Sequence, residues 1–155
     1  MEIMRGTKSR VFRSLLAVTA AGGGASVMGA TPASAANPNS KTSANCYTEA
    51  WTPVKGGGAN PDIVAQGYGS CVPGGKYTFN YVQVSLFVNQ CGTETCGGAA
   101  YHINQQSYPG PAYATAPCSE NPGRNYYWTD STVYNMHGQP VVDVKSDITA
   151  ITCPK

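Results

Sequence analysis

The strongest constraint on the fold is the alternation of apolar and polar side chains along residues 81–88. Val or Leu occupies every even position of this run, and Tyr, Gln, Ser and Phe occupy the odd positions. Side chains of a β-strand point alternately to its two faces, so the pattern predicts a strand with one buried face. Similar runs predict further strands at residues 47–54, 63–70, 99–105, 126–134 and 141–152.

The composition agrees with an all-β chain. After residue 35 the chain contains one leucine, Leu86, and all ten of its tyrosines. Branched and aromatic side chains suit strands, and the long straight side chains that favour helices are scarce. We therefore predict a small, disulfide-stabilised antiparallel β-sandwich of immunoglobulin-like type, with a small barrel as the alternative.

Two C-terminal segments carry more specific expectations. Residues 107–117 contain three prolines, so we expect a long irregular loop there. Residues 141–152 predict one continuous strand that forms a hairpin with residues 126–134 across an Asn/Gly/Pro turn. The expected buried face of that strand carries Val142, Val144, Ser146, Ile148 and Ala150.

The first 35 residues predict an export signal that is removed from the mature protein. Four basic residues among the first 13 precede an uncharged segment at residues 15–30, and a small-residue site ends at Ala35. These three features together are typical of a secretory signal peptide, and four glycines in the uncharged segment disfavour a membrane anchor. We predict a signal peptide at 1–35, a flexible leader at 36–45 and a β-sandwich domain at 46–155. The mature protein is expected to be extracellular and free of the membrane.

The charge argues against a nucleic-acid partner. Four of the ten basic residues and one of the eight acidic residues lie in the first 35 residues, which leaves a net charge of −1 after cleavage. Proteins that bind nucleic acids neutralise phosphates with clustered Lys and Arg. A near-neutral chain with few charges offers no such cluster.

All six cysteines follow the signal, and an even number in an exported chain predicts disulfides. A hairpin that turns at residues 57–58 places Cys46 opposite Cys71, within the range of a disulfide. Cys118 and Cys153 approach each other more loosely in the second hairpin, which leaves Cys91 with Cys96. A bridge between Cys71 and Cys118 is the main competing arrangement.

A metal site and a cofactor are not expected. The C-x4-C spacing of Cys91 and Cys96 differs from the C-x2-C of most zinc ribbons, and exported thiols oxidise. No motif in the chain is typical of cofactor binding.

The sequence contains few candidate catalytic residues. His102 and His137 are the only histidines, and neither lies near a nucleophile motif such as G-x-S-x-G. A hydrolase that combines one of them with Glu49 or with Arg124, the only arginine after residue 35, is kept as an alternative function.

Aromatic residues are better candidates for binding. Tyr and Trp combine a large contact area with a polar atom, which suits glycan and protein surfaces. We select Tyr108, Tyr113 and Tyr127 as binding residues and expect Trp128 to pack in the core. The leading hypothesis is a secreted, non-catalytic protein that binds an extracellular glycan, envelope component or protein. Another alternative is an inhibitor of a secreted hydrolase that presents the loop between Cys91 and Cys96.

Three segments carry a loose resemblance to known proteins. Residues 81–86, 123–127 and 146–153 resemble, in spacing and turn pattern, small exported proteins of actinobacteria with a Gly/Ala-rich signal and a few disulfides. The resemblance implies export and a β-sandwich. It carries no catalytic motif and transfers no site residue.

Overall fold

The computed structural model describes residues 37–155, so the predicted signal peptide at residues 1–35 lies outside the described part. This part folds into strands and two short 3₁₀ helices, at Glu94–Cys96 and Cys118–Glu120. The strands are β1 (Asn39–Ser43), β2 (Cys46–Lys55), β3 (Asp62–Cys71), β4 (Phe79–Asn89), β5 (Ala99–Gln106), β6 (Gly110–Pro117), β7 (Gly123–Asn135), β8 (Pro140–Lys145) and β9 (Thr149–Cys153). Between residues 37 and 155, no helix is long and apolar enough to cross a bilayer.

The strands form two antiparallel sheets that pack face to face. Sheet A has the order β1-β2-β3-β6, and sheet B has the order β5-β4-β7-β8, with β9 also paired to β7. The predicted all-β antiparallel sandwich is therefore confirmed. Strand β7 is the longest strand because it pairs with β4 along one side and with β9 and then β8 along the other.

The core between the sheets is asymmetric. Sheet B contributes most of the large buried side chains, namely Val82, Val84, Leu86, Tyr127 and Val133. Sheet A contributes mostly small residues, namely Ala50, Ala65, Gly67, Gly69, Ala112, Ala114 and Ala116. A Cβ atom at Gly67 would lie 2.6 Å from both Ser131 Oγ and Val84 Cγ2. The missing side chain therefore permits the close approach of the sheets.

Disulfides hold this thin sandwich at three places, and the expected pairing is confirmed. Cys46 lies directly opposite Cys71 in the β2–β3 hairpin, as the turn position predicts. Cys118, which follows β6 of sheet A, is bonded to Cys153 on β9 of sheet B, so this bridge joins the two layers. The third bridge, Cys91–Cys96, closes a short loop after β4.

The expected flexible leader at residues 36–45 is wrong for its central part. Residues Asn39–Ser43 form β1 and pair along their whole length with β2. The Asn39 amide also donates to the Lys145 carbonyl at 2.8 Å. An edge strand with exposed side chains needs no apolar face, which is why hydrophobic alternation does not reveal it.

The expected irregular loop at residues 107–117 is also wrong, because Gly110–Pro117 is strand β6. It is an edge strand of sheet A, where proline is tolerated since one side of the strand has no sheet partner. Alanine at every even position from 112 to 116 faces the core, and this alternation was the signal present in the sequence.

The single strand expected over residues 141–152 is in fact two strands. Ser146 interrupts it: its amide donates to the Thr129 carbonyl, and its Oγ accepts a hydrogen bond from the Thr129 amide, both at 2.9 Å. The side-chain alternation shifts after this point, so Ile151 is buried and Ala150 is exposed. The expected inward position of Ala150 is therefore wrong.

Candidate functional site: the ring face of sheet A

Four aromatic side chains share the outer face of sheet A, and we call them the ring face. They are Tyr47 and Trp51 on β2, Tyr68 on β3 and Tyr113 on β6. On β2 the inward-pointing Cys46, Thr48 and Ala50 are buried, and they alternate with Tyr47, Glu49 and Trp51 on the outer face. The alternation thus divides each strand between the core and the ring face.

Strand register places these rings in one contiguous patch. Trp51 lies opposite Gln66, and Gln66 lies opposite Tyr113, so the three residues form one row across three strands. Neighbouring strands are about 4.8 Å apart, which puts the two outer Cα atoms of the row about 10 Å apart. That distance is close to the length of a disaccharide.

Tyr68 is the centre of the patch. It lies opposite Glu49 and is two residues further along β3 than Gln66. Tyr47, Trp51 and Tyr113 are therefore its diagonal neighbours on this face of the sheet. Diagonal neighbours on one sheet face lie about 7 to 8 Å apart, within reach of aromatic side chains. The Tyr47 and Tyr68 ring centroids are 6.3 Å apart, with the ring planes tilted by 59°.

The ring face carries few charges, and those on its strands are negative. Among the described residues, the charged side chains on the outer face of sheet A are Glu49 and, at the beginning of β3, Asp62. The Tyr47 hydroxyl donates to Glu49, and this bond, followed by partial burial, raises the pKa of Tyr47. Uncharged polar groups such as Gln66 and Thr115 complete the face. The face can therefore donate and accept hydrogen bonds, and it offers no cation to an anionic ligand.

The binding residues selected from the sequence separate in the structure. Tyr113 is on the ring face with 46% of its surface exposed, and Tyr108 is 66% exposed in the turn between β5 and β6. Tyr127 is wrong as a binding residue, because it is 0% exposed and fills the core from the inner face of β7.

Trp128 is buried, but not in the core between the sheets. It follows Tyr127 and so points to the outer face of sheet B, where it is 3% exposed. Its ring stacks on Phe87, with centroids 5.1 Å apart and an interplanar angle of 9°. The ring expected to fill the core is thus supplied by Tyr127, one residue earlier.

Sequence reasoning did not select Tyr68, the centre of the ring face, or Trp51, at one end of its row. The signal was present as Tyr, Glu and Trp at alternate positions of β2, with small or buried residues between them. What the sequence did not show was that β6 lies beside β3. Without that neighbour, Tyr113 appeared to belong to a loop and not to a shared surface.

A second polar cluster surrounds His102. A β-bulge in β5, opposite Leu86 and Phe87 of β4, interrupts the alternation next to Tyr101 and His102. Glu120 accepts a hydrogen bond from the Tyr101 hydroxyl, and its Oε2 lies 3.4 Å from His102 Nε2. These two contacts lower the pKa of Glu120, with Tyr101 the larger cause. Burial and then the bond to Glu120 raise the pKa of Tyr101.

The other residues of the hydrolase hypothesis lie elsewhere. Glu49 is on the ring face, and Arg124 lies over the ring of Tyr126, 5.7 Å from its centroid. His137 is in the β7–β8 turn, where its amide donates to Asn135 Oδ1 at 2.9 Å. Among the described residues, no hydrogen bond or ion pair joins these side chains to His102. In residues 37–155, no group of three or more His, Cys, Asp or Glu side chains could hold a metal ion.

The loop proposed for protease inhibition lies against sheet B. Both cysteines of the Cys91–Cys96 bridge are exposed, and Glu94 between them forms an ion pair with Lys145 of β8, at 2.7 Å. Glu94 is therefore paired with a residue of sheet B in this same protein.

Comparison with known proteins gives no relative from which a function could be transferred. No family model, no curated protein and no solved structure matches the chain.

Proposed function

We propose that this protein is exported and binds a neutral glycan through the ring face, without catalysing a reaction on it. The observation that carries the proposal is the contiguous patch of four rings centred on Tyr68, on the outer surface of sheet A. The apolar C–H faces of sugar rings pack on Tyr and Trp, whose polar atoms remain available for hydroxyl groups.

Shape and charge support a neutral polymer as the ligand. The ring face follows a sheet of four strands, so its contacts spread over a surface and favour an extended ligand. Glu49 and Asp62 are its charged groups among the described residues, and no lysine or arginine of the described strands shares it. An acidic polysaccharide would find no cation there, whereas Gln66 can bond a neutral sugar.

Export is supported by the disulfides together with the N-terminal sequence. Disulfides persist in oxidising compartments, and the pattern of residues 1–35 is typical of a secretory signal. N-terminal sequencing of the protein recovered from the culture medium tests this part, and Ala36 is the expected first residue. A chain retained in the cells with Met1 intact would contradict it.

The glycan part is tested by retention of the disulfide-bonded protein on insoluble neutral polysaccharides, followed by a glycan array. Tyr68→Ala is expected to reduce affinity about tenfold or more, because central aromatic residues dominate binding energies. Tyr134→Ala is the matched control, since Tyr134 is a half-buried strand tyrosine on the outer face of sheet B, stacked on Tyr81.

The control variant should bind like the parent protein. If the parent is retained on no polysaccharide and on no array glycan, the proposal fails. Equal loss in Tyr68→Ala and Tyr134→Ala would also count against it, because the effect would then reflect stability and not the ring face. Circular dichroism of each variant separates these cases.

A hydrolase is the second candidate, and the contact between His102 and Glu120 favours it. Glu120 holds the Nε2 side of the ring, which leaves Nδ1 to act as a general base. If the purified protein hydrolyses an ester or glycoside, His102→Ala should remove that activity and His137→Ala should leave it intact. Activity that survives both substitutions would exclude this assignment.

A further inference from the structure

Phe87 and Trp128 form a stacked ring pair on the outer face of sheet B, opposite each other in the β4–β7 register. Such a pair on an outer face would normally be open to solvent, yet Trp128 is almost fully buried. Gly98 lies on this ring, at the end of the loop formed by residues 91–98, which we call the strap.

The strap touches the indole directly. A Cβ atom at Gly98 would lie 2.2 Å from Trp128 Cη2 and 2.8 Å from Cζ2, so only glycine allows the backbone to rest on the ring. In the described part of the chain, Trp128 Nε1 has no hydrogen-bond partner. The closed arrangement therefore leaves a buried donor unpaired, which is unfavourable.

Beyond its attachment at Asn89, the strap is held by weak contacts. No residue of its 3₁₀ helix is buried, and its link to β8 is the exposed ion pair between Glu94 and Lys145. Exposed ion pairs contribute little to stability, because solvent screens them. The Cys91–Cys96 bridge keeps the strap compact. Asn89, the last residue of β4, ties the beginning of the strap to the sheet, because its side-chain amide donates to the Thr93 carbonyl at 2.7 Å and its Oδ1 accepts from the Gly92 amide at 3.1 Å.

A carboxylate lies beside the covered ring. Asp130 is two residues after Trp128 on the same face of β7, half-buried, and it accepts a hydrogen bond from Thr132 Oγ1 at 3.1 Å. Burial is the main reason why its pKa is raised. A flat ring, an unpaired indole N–H and a carboxylate are the groups that bind one face and the hydroxyls of a sugar ring.

We propose that the strap is a lid over a second sugar site, formed by Trp128 and Asp130, and that a pyranose ring replaces the strap when it lifts. In the open state the sugar packs on the indole, and its hydroxyls accept from Trp128 Nε1 and donate to Asp130. Lifting breaks the ion pair of Glu94 with Lys145 and leaves the disulfide intact. The site lies on the sheet opposite to the ring face, so it is independent of the function proposed above.

Tryptophan fluorescence can test the lid, because the chain has two tryptophans. Trp51→Phe leaves Trp128 as the only reporter and also weakens the ring face. In this background Trp128 is expected to resist quenching by acrylamide. Adding Lys145→Gln, which removes the cation that holds Glu94, should raise the quenching constant twofold or more. Lys41→Gln is the matched control, since it removes the other exposed lysine ion pair, with Asp143.

The sugar is tested with cellobiose as the probe, in the variant that carries Lys145→Gln. Saturating cellobiose is expected to shift Trp128 emission to the blue and to restore protection from acrylamide, and Asp130→Asn should abolish this response. If Lys145→Gln and the double variant Cys91→Ser/Cys96→Ser both leave quenching unchanged, the strap is a fixed turn and the lid is refuted. Raised quenching without any response to cellobiose refutes the sugar site. The readout reports on Trp128 alone, so neither result depends on the ring face.

Discussion

Thr48 Oγ1 and Ser131 Oγ lie 2.9 Å apart in the centre of the core, and they join the two sheets by a hydrogen bond between side chains. Thr48 is also bonded to the Tyr68 carbonyl at 2.9 Å, on the strand that carries the centre of the ring face. The polar contact is possible because the small residues of sheet A bring the sheets close together. It therefore links the packing of the core to the position of the candidate site.

Thr48→Val is expected to destabilise the protein by about 1 to 3 kcal/mol, because it leaves Ser131 and a carbonyl without this partner in a buried place. The measurement is the free energy of unfolding in urea. Thr115→Val, at an exposed position of β6, is the matched control and should change stability by less than about 0.5 kcal/mol. Equal losses of unfolding free energy in Thr48→Val and Thr115→Val would show that the buried hydrogen bond does not stabilise the protein more than an exposed threonine hydroxyl does.

Gly67→Ala tests the close approach of the sheets. The new methyl group would clash with Ser131 and Val84, so we expect a loss of about 1 to 3 kcal/mol and a lower melting temperature. Gly56→Ala is the control, since its Cβ would meet the Asp62 carbonyl at an ordinary 3.4 Å. If Gly67→Ala left the free energy of unfolding unchanged, the two sheets could move apart at this position without loss of stability.

The disulfides are expected to contribute differently to the free energy of unfolding, because they close loops of different length. Cys46–Cys71 spans 25 residues and Cys91–Cys96 spans 5. In the chain-entropy model, removing the first by paired alanine substitution costs about 3.5 kcal/mol and removing the second costs about 2 kcal/mol. Denaturant unfolding of the two double variants measures the order, and the reverse order would contradict the expectation.

Tyr127→Phe removes a fully buried hydroxyl that makes no close hydrogen bond among residues 37–155, although the Asn125 side chain is near enough to act against the burial that raises the pKa of Tyr127. Because an unpaired buried hydroxyl is costly, we expect unchanged stability or a gain of about 1 kcal/mol. A clear loss in thermal unfolding would show that the hydroxyl has a role in the folded state. Binding to polysaccharide should not change, since Tyr127 is not on the surface.

Asp130 gives a prediction for pH. Its folded pKa is raised above the unfolded value of 3.8, mainly by burial. Between the two pKa values the folded state keeps a proton that the unfolded state has lost, so stability decreases as the pH rises through this window. The stability of Asp130→Asn relative to the parent should therefore increase as the pH rises from below 3.8 toward neutrality. If the difference in unfolding free energy between variant and parent stayed constant across this range, the raised pKa of Asp130 would be contradicted.

The sequence predicted strands wherever a strand has one apolar face, as at residues 81–88, and it placed Cys46 opposite Cys71 from a turn position alone. It failed at the two edge strands of sheet A, whereas the edge strand β5 of sheet B was predicted. The polar strand β1 and the proline-containing strand β6 show no strong apolar alternation, since an edge strand needs less burial on its faces.

The candidate site was predicted only through Tyr113. Recognising the ring face requires knowing that β6 pairs with β3, a contact between segments about 50 residues apart that local patterns do not encode. The choice of Tyr127 was wrong by one position in the alternation. Because successive side chains point to opposite faces, that single step exchanges a surface ring for a core ring.

The small inner residues of sheet A have a consequence for how this protein can change over evolutionary time. Ala50, Gly67 and Ala114 face the core, whereas the rings on the same strands point away from it. Substitutions on the outer face therefore leave the packing between the layers largely untouched. The same scaffold can acquire a different set of rings, and with it a different ligand, while the inner face and the three bridges preserve the fold.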